Sequence, residues 1–73
     1  MEDIMKLSAR NVLSGTVKEI KEGPINVEVV IELPGGAEVV SIITKESCSG
    51  LKLEKGKKAY AIMKASQIIV AVD

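Results

Sequence analysis

The run "NVEVVIEL" from Asn26 to Leu33, followed at once by "PGG" and then by "AEVVSIIT" from Ala37 to Thr44, constrains the fold more than any other part of the chain. Val27, Val29, Ile31 and Leu33 alternate with Asn26, Glu28, Val30 and Glu32, which is the period of two of a half-buried strand. At Pro34 to Gly36, proline fixes φ and glycine tolerates positive φ, so the chain turns there. The three pieces together predict an antiparallel hairpin.

The flanking segments extend the same reading. In "VLSGTVKEI" the residues Leu13, Gly15 and Val17 share one phase, and Ile20 slips out of it. A β-bulge near Lys18 and Glu19 explains the slip, because one extra residue moves every later side chain to the other face. Gly15 inside this strand suits a sharp bend or a close backbone approach, as at a barrel corner. "KEGP" then turns the chain into the hairpin. Beyond it, "TKESCSGLKL" breaks the alternation, with Thr44 suited to cap a single helical turn and Gly50 to stop it. "EKGKK" turns, "AYAIMK" reads as a fourth strand and "SQIIVAV" as a fifth with both faces mostly apolar. Five short strands and one helical turn predict an all-β fold, a small five-stranded OB-like Greek-key barrel.

The chain has 73 residues and shows no linker or internal repeat, so it is read as a single domain over 1–73 with its core from about residue 5. A domain of this size buries only roughly 60% of the surface its unfolded chain exposes. Small folds therefore add disulfides, a structural metal or oligomerisation. With one cysteine, Cys48, and no histidine, an intramolecular disulfide and a Cys/His zinc cluster are both excluded. Assembly is the remaining route, and the 47% hydrophobic content is enough for a small core plus a buried subunit surface.

Ten basic and ten acidic residues cancel, so no general field draws in nucleic acid or an anionic membrane. The start "MEDIMKL" lacks the basic and apolar regions of a signal peptide, and no apolar run approaches the ~20 residues of a membrane span. A cytoplasmic protein is expected, in keeping with one free cysteine.

Three short stretches hold the candidate chemistry: "SARN", "TKES" and "KAS". Their common property is donation. Ser8, Thr44, Ser47 and Ser66 carry hydroxyls, Arg10 and Lys64 carry charged donors, and a helix start at Thr44 presents backbone amides that favour an anion. None of them forms an acid and base pair with a nucleophile. That inventory suits gripping a small oxyanion and not catalysis, so no enzyme and no cofactor are expected. Each residue also has a plain structural role: Arg10 as a solvated surface residue, Thr44 as a cap, Ser47 as a surface hydroxyl, and Lys64 as edge protection. Asn11 is read as a local turn partner, and Gly35 and Gly36 as structural.

With "GPINVEVVIELPGG" between the first two stretches, "SARNVLSGTV", "ITKES" and "KAS" together resemble the molybdate-binding Mop domain, and from Met5 onward the chain is similar to the molbindins of the TOBE/OB-like family. The resemblance implies an OB-like barrel and an intracellular molybdate or tungstate store. It also implies a homohexamer, a trimer of dimers, with anions held between subunits. By motif position it implies that Ser8, the amide of Ala9 and Arg10 form the first binding segment. Thr44 and Ser47 form the second, and Lys64 with the amide of Ala65 the third, with Ser66 adding a hydroxyl. Molybdenum would arrive as an oxyanion and not as a cation held by side chains. Glu46, between two of these residues, is expected to face solvent, because a carboxylate aimed at a dianion is repelled.

Placing such a site between chains has a physical reason. Several chains each contribute one or two donors, and no chain holds a cluster of like charges in its own core. Two other functions compete. A nucleic-acid-binding OB-type module needs stacking aromatics and a basic groove, and this chain has one tyrosine and no net charge. A regulatory anion-sensing domain acting on a transporter or regulator needs an ATPase or DNA-binding portion, which this sequence does not contain; a free-standing store is therefore the expectation.

Overall fold

The structure, a computed structural model, describes residues 10–73. Four strands form among these residues, in one antiparallel sheet of order β3-β2-β1-β4, and the sheet curls into an all-β, OB-like fold. They are β1 (Asn11–Glu22), β2 (Asn26–Glu32), β3 (Glu38–Thr44) and β4 (Lys58–Met63), with a short helix α1 (Lys45–Gly50) between β3 and β4.

β1 is the longest strand and serves two partners. Its first half pairs with β4, from Asn11 opposite Met63 to Thr16 opposite Lys58. Its second half pairs with β2, from Thr16 opposite Glu32 to Glu22 opposite Val27. The register shifts between Val17 and Glu19, where Lys18 is the extra residue of the expected bulge. Val17 at the bulge bonds to the loop before β4, its N–H donating to the Lys57 carbonyl at 2.8 Å and its own carbonyl accepting from the Gly56 N–H at 2.8 Å. The slip therefore brings Val17, 1% exposed, and half-buried Ile20 to the same core.

The hairpin joins β2 to β3 in the predicted register, from Asn26 opposite Thr44 to Glu32 opposite Glu38. Its turn closes with the Leu33 N–H on the Ala37 carbonyl at 2.7 Å and the Gly36 N–H on the Leu33 carbonyl at 3.0 Å. Gly35 and Gly36 have φ of 95° and 101°, which only glycine adopts at little cost.

Val17, Val27, Val29, Ile31 and Ala61 form the buried core, with Leu33, Val39, Ile43, Cys48, Leu53 and Met63 packed around it. Val27, Val29 and Ile31 are the inward set of the alternation. Val30 is buried as well, on the opposite face of β2. Cys48, half-buried, is the residue through which α1 reaches the core.

Two sequence expectations are corrected. The helix ends at Gly50 as expected, but the left-handed residue that closes it is not this glycine. Gly50 is the last helical residue, Leu51 is the C-cap, and the positive φ of 55° falls on Lys52. The Lys52 N–H donates to the Ser49 carbonyl at 3.0 Å and the Leu53 N–H to the Cys48 carbonyl at 3.2 Å, the two bonds of a Schellman ending. The second correction concerns the fifth strand over "SQIIVAV". Ala65–Gln67 form a single 3-10 turn, and from Ile68 to Asp73 the chain joins no ladder. Its apolar composition favours a strand, but a strand exists only with a partner, and among the described residues the segment pairs with none.

Candidate functional site

Of the eight residues that the sequence analysis singles out, Ser8 and Ala9 lie outside the described residues. The other six fall into two groups. Arg10 immediately precedes Asn11, and Lys64 immediately follows Met63; Asn11 and Met63 are paired, so the two cationic residues sit on adjoining chains where the β1–β4 ladder ends. Ala65 and Ser66 continue from Lys64 into the 3-10 turn, which is held by the Gln67 N–H on the Lys64 carbonyl at 2.9 Å. Arg10, Lys64, Ala65 and Ser66 are all exposed. Among the described residues neither Arg10 nor Lys64 meets a carboxylate; the ion pair formed there joins Lys18 to Glu38.

Thr44 and Ser47 form the second group. Thr44 caps α1 as expected: its Oγ1 accepts the Ser47 N–H at 3.0 Å, and its hydroxyl donates to the Ser47 Oγ at 2.9 Å. The cap has a direct sequence origin, because threonine in extended backbone before a helical turn supplies the acceptor that the first amides lack. In this arrangement the Ser47 amide is already used by Thr44. The Ser47 hydroxyl proton remains available for an anion. Glu46 is exposed, as expected.

The topology keeps the groups apart. Thr44 is paired with Asn26, beside the Glu22–Val27 end of the β1–β2 ladder. Arg10 and Lys64 flank the Asn11–Met63 end of the β1–β4 ladder. These are opposite ends of a 12-residue strand. A strand rises by about 3.3 Å per residue, so residues at its two ends do not share a contact shell with one tetrahedral anion unless the strand folds back sharply. Among the described residues, a single chain thus presents two separate groups of donors.

The sequence analysis missed two features. The first is Lys57, whose Nζ donates to the carbonyls of Leu51 at 3.1 Å and Lys52 at 2.9 Å and so satisfies the open end of α1. A lysine five or six residues beyond a helix end carries that signal weakly. The second is an apolar groove of about 370 Å³ between the two outer strands, lined by Val29, Ile31, Ser41, Ile43, Tyr60 and Ile62 among others. Lys57 and Lys58 are its charged residues, with the Lys58 ammonium 5.5 Å from the centre of the Tyr60 ring. A wall this apolar does not suit a dianion. Among the described residues no cluster of His, Cys, Asp or Glu is fit to hold a metal cation, and no helix is long and apolar enough to cross a membrane.

Comparison with known proteins identifies the family. The TOBE domain model matches residues 7–70. The chain belongs to the TOBE domain family. It is 44% identical over 69 residues to a probable molybdenum-pterin-binding protein of Haemophilus influenzae, covering 94% of this chain and all of that protein. It is 46% identical over 71 residues to the molybdenum transport protein ModE of Azotobacter vinelandii, covering 97% of this chain but only 26% of ModE. Among solved structures, a molybdate-binding protein from Sporomusa ovata superposes with a TM-score of 0.87 at 40% identity, over 93% of this chain and all of that one. The TOBE assignment bears out the family resemblance drawn from the three donor-bearing stretches.

Proposed function

We propose that this TOBE chain binds molybdate or tungstate non-covalently, as an oxyanion, at seams between copies of itself, and serves as a cytoplasmic store of the anion. The observation that carries the reading is the split donor set. Arg10, Lys64 and Ser66 lie at one end of β1 and Thr44 with Ser47 at the other. Copies packed so that unlike ends meet would bring both sets around one anion. The family supplies the ligand class, since its members include proteins named for binding molybdate or molybdenum-pterin.

Arg10 and Lys64 would neutralise the dianion, and the hydroxyls with the amide of Ala65 would complete its hydrogen bonding. Ser8 and the amide of Ala9 would join the Arg10 set by their nearness in sequence. A site without a carboxylate acceptor disfavours hydrogen phosphate, whose O–H would lack a partner. A homohexamer, a trimer of dimers, would supply such seams, and bound anion would stabilise it by linkage. The 26% coverage of ModE supports a second reading, in which a domain like this one senses the anion for a larger regulator. Nucleic acid fits less well, because Tyr60 is half-buried in the apolar groove and offers no stacking platform.

Calorimetric titration with molybdate, tungstate, sulfate and phosphate tests the reading. Strong heats for the first two support it, and equal weak heats for all four remove it.

A further inference from the structure

α1 is too short to hold itself. Its six residues fall well short of the roughly 12–15 at which an isolated helix becomes even marginally stable in water, and none of them is fully buried. The helix nevertheless carries Ser47 and follows Thr44, so whatever fixes α1 also fixes where those two hydroxyls lie. Its start is tied by the Thr44 cap and by the Lys45 N–H on the Ile25 carbonyl at 3.3 Å, and its middle by half-buried Cys48. Among the described residues, one side chain grips its end. The Lys57 ammonium donates to the carbonyls of Leu51 and Lys52 at 3.1 and 2.9 Å, just past the last turn, where a cation is favoured.

We propose, resting on the oxyanion reading, that Lys57 is a positioning residue for anion binding: it holds α1, and through it Thr44 and Ser47, at a fixed place relative to β1. The backbone of Lys57 supplies the other half of the link. Its carbonyl accepts the Val17 N–H at 2.8 Å, and the Gly56 N–H beside it donates to the Val17 carbonyl at 2.8 Å, where the bulged strand enters the core. One residue thus bonds through its main chain to the middle of β1 and through its side chain to the end of α1. The two donor groups lie at opposite ends of β1, so copies can close around one anion only if the spacing between the groups is the same in every copy. A rigid link sets that spacing before the anion arrives and lowers the ordering cost of binding. The ammonium is engaged with the two carbonyls, so its part is to place the hydroxyls and not to touch the anion.

Calorimetric titration of the full-length chain with molybdate tests this. Lys57→Met keeps the stem and removes the donors; it is expected to weaken binding roughly fivefold to tenfold, about the size of one lost hydrogen bond, and Lys57→Arg to restore most of it. The loss should persist in about 1 M salt, where the Debye length is about 3 Å; a loss that vanishes there means that the lysine acts by its charge alone, and overturns the proposal. A double-mutant cycle gives a readout that a merely structural role would not move. Lys57→Met should add little to Ser47→Ala, through which it acts, and its full factor to Lys64→Ala in the other donor group; full additivity with Ser47→Ala overturns positioning. Amide exchange at Ser47 should quicken in Lys57→Met while the β1–β2 ladder keeps its protection, and unchanged exchange at Ser47 counts against the link in the same way. Should Lys57→Met not fold, Lys57→Gln carries the same cycle. Unchanged affinity in Lys57→Met beside a parent that binds molybdate removes this proposal alone, whereas a parent that gives no molybdate heat removes the oxyanion reading and this proposal with it.

Discussion

The carbonyl oxygen of Glu32 lies 2.6 Å from the position that a β-carbon would take on Gly15, and Ile31 Cγ2 lies at 2.7 Å. β1 can cross the end of β2 this closely only because residue 15 has no side chain. Real Cβ contacts do not reach such distances, and one of the two neighbours is backbone, the carbonyl of the last residue of β2. Gly15→Ala is therefore expected to destabilise the fold by about 1–3 kcal/mol, the usual range for overpacking. Urea unfolding of both proteins would show it as a lower midpoint.

Lys52 has the opposite problem. It holds a φ of 55° at the position after the α1 C-cap, where glycine is the common occupant. A β-carbon in left-handed backbone costs roughly 1–2 kcal/mol. Lys52→Gly is expected to raise stability by up to about 1 kcal/mol, the rest being offset by the greater freedom of glycine in the unfolded chain. In a domain this small that corresponds to a rise in Tm of about 4–8 °C. Lys57, which bonds to the Leu51 and Lys52 carbonyls, should be kept in the comparison so that the helix end stays satisfied.

The Lys18 ammonium hydrogen-bonds to the Glu38 carboxylate across the sheet, and this bond, followed by Glu38's charge, raises the Lys18 pKa above the ordinary value of 10.5. Because the folded-state pKa exceeds the unfolded one, the pair's contribution is fully present below the ordinary lysine value and is lost as pH rises through the higher folded value. Thermal melts at rising pH should lose stability in that alkaline window, and Lys18→Met should lose less. The pair is solvent-exposed, so the difference is expected to be small and to shrink further in high salt.

Arg10→Ala and Lys64→Ala are each expected to weaken molybdate binding by about tenfold or more, in keeping with the loss of one charge-assisted hydrogen bond. Both residues are exposed at the end of a ladder and outside the core, so their circular dichroism should match that of the parent. Thr44 calls for a different substitution. Thr44→Ala would remove the helix cap as well as the hydroxyl proposed to hold the anion, whereas Thr44→Ser keeps the oxygen for both. Unchanged affinity in the Arg10 and Lys64 variants, measured by calorimetry, would reject their assignment.

Legibility in the sequence followed the range of the interaction involved. The β2–β3 hairpin could be read because alternation and turn chemistry are written in neighbouring residues. The bulge at Lys18 could be read because a phase slip between Val17 and Ile20 has few other causes. Thr44 was legible as a cap because its partner, Ser47, is three residues away. Lys52 was not, since a left-handed lysine contradicts its own propensity and is held there by bonds to Ser49 and Cys48. The segment from Ile68 was misread for the reverse reason. Its local preference for a strand is genuine, but a ladder depends on what lies beside it. The donor residues were legible as chemical types, but their division between the two ends of β1 appears only once the register is known.

β1 is hydrogen-bonded to β4 over its first half and to β2 over its second, with Thr16 belonging to both ladders. Neither wing of the molecule can peel away without tugging on the strand that anchors its counterpart. Amide protons along β1 should accordingly exchange with solvent at one common, slowest rate, marking the last part of the molecule to let go.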